Sequence, residues 1–150
     1  MEAIIVAGFP GIGKSWFQNN SKYRVLDSDS SIFSWISKGV RNPDFPENYI
    51  KHIKDNLSKA DIILVSTHKD VRNALVAAGL FFNLVYPKDT KAIKQEYLIR
   101  YLTRGSSPEF IKMMDVNWGK FQEELVTQVG CIHSVLEQGL FLKDILRLEE

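Results

Sequence analysis

The segment Gly8-Phe9-Pro10-Gly11-Ile12-Gly13-Lys14-Ser15 decides how the rest of the chain is read. It matches the P-loop pattern of a glycine, four residues, then Gly-Lys-Ser. Glycines let the backbone turn so that successive N–H groups converge on phosphate oxygens with no Cβ in the way. A helix opening directly behind the loop adds its positive end. On this reading Gly8, Gly11, Ile12, Gly13, Lys14, Ser15 and Trp16 form the nucleotide cradle. The Lys14 ammonium reaches the β- and γ-phosphates of ATP, and the Ser15 hydroxyl ligates Mg²⁺. Pro10 has no N–H, so the cradle relies on the other amides. A glycine-rich turn can also precede a helix by chance; a buried strand before it and a helix after it separate the two cases. Ala3 to Ala7 (AIIVA) is an apolar run of strand length, and a helix is expected from Lys14 to about Asn20.

Outward from this loop, short β-branched runs alternate with helical patterns, which predicts a parallel sheet with crossover helices. Strands are expected at Tyr23–Leu26, Asp61–Val65, Phe81–Val85 and Ile132–Leu136. Helices are expected over Ser31–Ser37, stopped by Gly39, and from Pro46 as first residue, where Ile50, Ile53 and Leu57 share a face. Arg41 to Phe45 reads as loop. The next helix turns Val71, Ala74, Leu75 and Ala78 inward and closes at Gly79. Asp89 or Thr90 caps another that ends at Gly105, and Ser107-Pro108-Glu109 restarts the chain as a helix with Phe110, Met114, Phe121 and Leu125 on one stripe. Phe141–Leu148 reads as a short terminal helix. The expected fold is α/β: a three-layer P-loop NTPase fold, a five-stranded, mostly parallel sheet with helices on both faces. The 150 residues make one domain, with a small helical lid over about 88–108.

Composition limits the function classes. Nineteen Lys plus Arg against eighteen Asp plus Glu leave a net charge of +1, which excludes a strongly basic nucleic-acid coat but not a local basic patch. The single cysteine, Cys131, has no partner for an intramolecular disulfide, and no Cys/His spacing suits zinc. The apolar run at the start is too short to span a membrane and lacks the basic opening of a signal peptide. The expectation is a cytoplasmic protein with no membrane partner (host cytoplasm, if phage-encoded).

What surrounds the γ-phosphate separates hydrolysis, switching and transfer. No guanine-reading Asn-Lys-x-Asp segment exists, and the third strand ends Val65-Ser66-Thr67 rather than in an aspartate. Acids instead follow the second strand, as Leu26-Asp27-Ser28-Asp29, at the sheet edge where ligands of open α/β sheets bind. Asp27 is expected to hold a magnesium-bound water and Asp29 to orient or deprotonate an acceptor hydroxyl; Asp29 or Ser30 would also serve as a helix cap. Arg100 and Arg104 lie four apart on one helical face and are expected to clamp the transferring phosphoryl group, with a solvated basic face as the alternative. Lys91 and Lys94 are weaker candidates. Ser66 and Thr67 face the same edge, Arg72 reads either as a holder of acceptor phosphate or as a surface arginine, and Trp35 and Phe45 are candidates to stack on a base.

Taken together, GFPGIGKS, the LDSD after strand two, VSTHKDVRNAL after strand three and the arginine-bearing segment resemble the small P-loop kinases of the nucleoside-monophosphate-kinase-like group. The resemblance runs from Met1 to about Gly105. The Asp-x-Asp is similar to that of shikimate, gluconate and polynucleotide kinases, in which the matching aspartates contact magnesium water or the acceptor hydroxyl. The pattern VYP…RYLTRG…NW looks like short bacteriophage-type nucleotide kinases, some relatives of which phosphorylate 5-hydroxymethyluracil within DNA. The resemblance implies an ATP- and Mg²⁺-dependent phosphotransferase with a nucleotide-type acceptor, free or in DNA. The chain lacks the longer AMP-binding segment and extended lid of adenylate kinase. A kinase of a small hydroxylated metabolite and a non-catalytic nucleotide-binding module are the alternatives.

Overall fold

The apolar runs and the helices between them assemble in a computed structural model that describes residues 2–28 and 31–146. In chain order the elements are β1 (Ile4–Gly8), α1 (Lys14–Asn20), β2 (Val25–Asp27), α2 (Ser31–Ser34), β3 (Trp35–Ser37), β4 (Val40–Arg41) and α3 (Glu47–Asn56). There follow β5 (Ile62–Val65), α4 (Lys69–Ala77), β6 (Asn83–Pro87), α5 (Lys91–Thr103), α6 (Pro108–Val126), β7 (Ile132–Leu136) and α7 (Leu142–Ile145). Five strands form one sheet in the order β2-β5-β1-β6-β7, with every pairing parallel. Ala7 at the centre stands opposite Val65 on one side and Leu84 on the other. Continuous apolar runs suit such central strands because both faces are covered; Val6, Ala7, Ile62, Ile63 and Leu64 are fully buried.

Crossover direction explains how the helices flank the sheet. From β1 the chain moves past β5 to β2, whereas the later connections run the opposite way. Right-handed crossovers then place α1 on one face and α3, α4, α5 and α6 on the other. In keeping with this, α1 packs with α7, α3 with α4, and α5 with α6.

The 31–45 region differs from its expected form. Instead of a helix to Ser37 stopped by Gly39, a single turn (α2) gives way to an antiparallel hairpin, β3–β4, whose turn holds Gly39 at φ +79°. Trp35, Ile36 and Val40 favour extended backbone, and Lys38-Gly39 between them supplies the positive φ of a hairpin turn. Pro46 caps α3 rather than opening it. β6 is displaced two residues toward the C-terminus from the expected Phe81–Val85 and carries Tyr86 and Pro87 in its ladder with β7. Because β1 ends opposite Val85, Pro87 has no β1 neighbour that needs its missing N–H. The terminal helix ends at Ile145, and 147 and 148 lie outside the described residues.

Across the segment expected as a lid, α5 and the start of α6 pack against the end of β1. Thr90 caps α5 by accepting from the Ile93 amide, and Ile93, Tyr97 and Tyr101 are buried. Ser107 caps α6 by accepting from the Phe110 amide at 3.1 Å, with Pro108 in its first turn. Edge-to-face rings join these helices to the end of β1: Phe9–Trp118 at 5.4 Å, Tyr97–Trp118 at 5.8 Å and Tyr101–Phe110 at 5.2 Å. Trp118 is therefore core, its Nε1 donating to Asp89 at 3.0 Å. Among the described residues no helix is long and apolar enough to cross a membrane.

Tyr97 gives this cluster an alkaline limit. Its hydroxyl is buried with no hydrogen-bond partner among the described residues. Burial pushes the phenol up to about 12, against the opposing charge of Arg100, and burial raises Tyr101 as well. A folded-state value above the unfolded one, about 10, means that stabilisation is complete below pH 10 and is lost as pH rises through 12. Melting temperature should fall steeply over that window. Tyr97→Phe should flatten the fall and be neutral or stabilising at pH 7, since it removes a buried polar atom without a partner. A Tyr97→Phe protein with an unchanged alkaline limb, followed by circular dichroism, would remove Tyr97 from this account.

Candidate functional site

β1 emerges between β5 and β6, where connections on the two sides leave for opposite faces. Ligands of open α/β sheets bind at such a switch point, outside the carboxyl ends of the strands. The loop from Gly8 to Ser15 occupies it. Gly11 at φ +94° and Gly13 at φ +92° take backbone that side chains rarely adopt. A Cβ on Gly11 would come within 2.9 Å of the Tyr101 ring, and one on Gly13 within 3.1 Å of Phe141. Ile12 points into the core and is fully buried.

The loop carbonyls are tied from outside. Pro10 O accepts from the Tyr101 hydroxyl at 2.8 Å, Gly11 O from Arg100 Nη1 at 2.9 Å, and Ile12 O from the Leu142 amide at 2.8 Å. In a trans peptide the C=O of one residue and the N–H of the next point opposite ways. Carbonyls held outward therefore turn amides inward. Among the described residues the amides of Gly11, Gly13, Ser15 and Trp16 donate to no backbone carbonyl. The Lys14 Nζ folds back to Gly8 O at 2.8 Å, beneath the same concavity.

These groups line a cleft of about 1080 Å³ that runs from Lys14 and Ser15 past Ser66 to Arg104 and Phe110 at one end and Gly139 and Phe141 at the other. Ser66 follows β5, and its Oγ is buried with no partner among the described residues. Trp16 lies at the cleft wall, 52 % exposed, with Lys143 Nζ 5.1 Å from its ring centre.

Arg100 and Arg104 share a face, as their spacing predicts, yet their surroundings differ. Arg100 is nearly buried and fully engaged: besides Gly11 O, it donates through Nη2 to Glu96 at 2.9 Å and to Leu140 O at 3.0 Å. Its guanidinium lies 3.8 Å from the Phe141 ring centre and 4.3 Å from that of Tyr97. These contacts tie α5 to the glycine-rich loop at Gly11 and to the turn before α7 at Leu140. Arg104 is exposed at the α5 C-cap, donates to Ser106 Oγ at 2.8 Å and lies over Tyr101 and Phe110. Lys94 pairs with Asp115 at 2.8 Å.

Asp27 ends the edge strand β2, is exposed, and lies outside the residues lining the cleft. Next to it Ser28 is anchored: its amide donates to Leu64 O, its carbonyl accepts from the Tyr49 hydroxyl at 2.6 Å, and its Oγ meets His52 Nε2 at 3.2 Å. Asp29 lies outside the described residues, as does Ser30, the alternative cap. Among the described residues no group of three or more His, Cys, Asp or Glu assembles. Mg²⁺ carried by phosphates keeps several waters and needs only one or two protein oxygens, which Ser15 and Asp27 suit by type. Trp35 and Phe45 both lie under the Arg41 guanidinium, at 4.8 and 5.6 Å, away from the cleft lining.

Arg72 is neither a surface arginine nor free for an acceptor phosphate. It is 4 % exposed and donates from Nε to Thr67 O and from Nη1 to Gln128 Oε1, with Nη2 3.6 Å from Glu124. Two parts of the site were not anticipated: the turn before α7, with Gly139 and Phe141, and Glu96, which accepts from the Gly139 amide at 3.2 Å. The available signal was Glu137-Gln138-Gly139 directly after the strand run Ile132–Leu136, at the ligand-facing edge. In comparison with known proteins, the chain matches no family model and no curated protein.

Proposed function

We propose that the chain has the P-loop NTPase fold and is an ATP- and Mg²⁺-dependent phosphotransferase that moves a γ-phosphate to a nucleotide-type acceptor. That acceptor is a nucleoside, a nucleoside monophosphate or a 5-hydroxymethyl pyrimidine in DNA. The observation that carries the reading is the loop itself: carbonyls tied outward, inward amides without backbone acceptors, and Lys14 beneath them, at the end of the central strand. When bound, MgATP supplies the transferable phosphoryl group and a divalent charge on its oxygens.

The chain's own groups then divide the work. The inward amides and the α1 N-terminus hold the phosphates, and Lys14 swings from Gly8 O to the β- and γ-oxygens. Ser15 and the Ser66 hydroxyl, unpartnered among the described residues, would offer oxygen donors to Mg²⁺, and Asp27 would hold one of its waters. Asp29 takes the proton from an acceptor hydroxyl. Arg104 brings charge to the open end of the cleft, while Arg100 keeps the loop in shape. The Gly139–Phe141 turn supplies the wall for the base.

The test is transfer of labelled γ-phosphate from ATP to deoxynucleosides, their monophosphates, gluconate, shikimate, and plain or 5-hydroxymethyluracil-containing DNA. Label on a nucleotide-type acceptor is the expected result. Label on gluconate or shikimate alone would replace it with a metabolite kinase. ATP binding with label on none would leave a nucleotide-binding module.

A further inference from the structure

A second cavity, of about 420 Å³, adjoins the cleft and shares Pro10, His68 and Phe110 with it. One wall is a face of α6, with Phe110, Met113, Phe121 and Leu125 at helical spacing; the other is the turn from β5 into α4, Thr67 to Lys69. Arg72 links the two walls: its buried guanidinium reaches from α4 to Glu124 on α6. Met113 remains 40 % exposed within this slot.

The lining discriminates between ligand classes. Phenylalanine faces and methionine sulfur attract a planar aromatic ring. Lys69 and Lys120 add positive charge, and the Glu124 carboxylate offers an acceptor for ring N–H groups. The volume falls within the range of small-molecule sites, about 300–1,000 Å³. We propose that this slot between α4 and α6 seats the heteroaromatic ring of an anionic mononucleotide, the phosphoryl acceptor. The assignment rests on the phosphotransferase reading for the acceptor's role, but not for the binding itself.

The test labels the methionine methyls with ¹³C and adds deoxynucleoside monophosphates, including that of 5-hydroxymethyluracil, with a non-hydrolysable ATP analogue already bound. The Met113 and Met114 methyls should shift by ring current, and excess gluconate should not reverse the shift. Met113→Glu, at a half-exposed position that leaves the core intact, should weaken mononucleotide binding at least about tenfold. Affinity for the ATP analogue should stay within about twofold. Methyls unmoved by every mononucleotide, or acceptor affinity unchanged in Met113→Glu, would overturn the slot while leaving phosphoryl transfer to other acceptor positions intact. Methyl shifts caused by the ATP analogue itself would also overturn it, by making the slot part of the donor site. Failure of transfer with normal mononucleotide shifts would instead sink the phosphotransferase reading alone.

Discussion

Replacing Lys14 with methionine should lower the rate of phosphoryl transfer by a factor of about 10²–10³ or more, equivalent to about 3–4 kcal/mol of transition-state stabilisation. The side chain already lies under the loop, its Nζ 2.8 Å from Gly8 O, so little reorganisation separates its resting place from phosphate oxygens. Methionine keeps most of the stem, whose Cδ lies where a Cβ on Gly8 would come within 2.9 Å, and removes the ammonium with its hydrogen bond to Gly8 O. Melting temperature should therefore change little, and ATP should still bind through the backbone amides with reduced affinity. Single-turnover transfer of labelled γ-phosphate measures the effect. A variant retaining more than about a tenth of the wild-type rate would show that the ammonium is not part of the chemistry.

The second large effect is expected at Arg100, where a brace and a transition-state clamp predict different things. Arg100→Ala removes two charge-assisted bonds to main-chain carbonyls, at Gly11 and Leu140, the pair with Glu96, and the stack on Phe141 and Tyr97. Each such bond contributes about 1.5–3 kcal/mol and these contributions are not additive, so a loss of about 2–4 kcal/mol in stability is expected. Arg100→Lys is the discriminating change. Lysine keeps the charge but cannot span two carbonyls with a rigid fork. If Arg100 shapes the loop, Arg100→Lys lowers melting temperature and ATP affinity together, because Gly11 O is released. A fall in kcat at unchanged melting temperature and ATP affinity would return Arg100 to the clamp.

Several elements were legible because local chemistry and tertiary environment agree. AIIVA before the loop, the Ser107-Pro108-Glu109 restart and the Val71-Leu75 face all sit as their patterns predict. The expectation for 31–37 failed because a short apolar run reads equally as helix or strand; the Lys38-Gly39 turn and the Trp35–Arg41 pairing settled it. Arg72 was misread, and the partners of Arg100 were not legible, for a shared reason. Spacing places an arginine on a face, but only the fold decides whether that face meets solvent, phosphate or a backbone carbonyl.

By itself, then, the sequence determined the class of sheet and the position of the glycine-rich turn between β1 and α1, since these follow from apolar periodicity and from glycines that backbone geometry demands. The tertiary structure alone decided which partners hold that loop open, from Tyr101 and Arg100 on α5 to Leu142 at the start of α7. It also decided that a buried arginine on α4 pairs with Glu124 on α6. Those contacts join residues as many as 130 positions apart along the chain, as Leu142 and Ile12 are. No local pattern encodes such pairings, because each depends on the strand order that brings distant segments to one edge of the sheet.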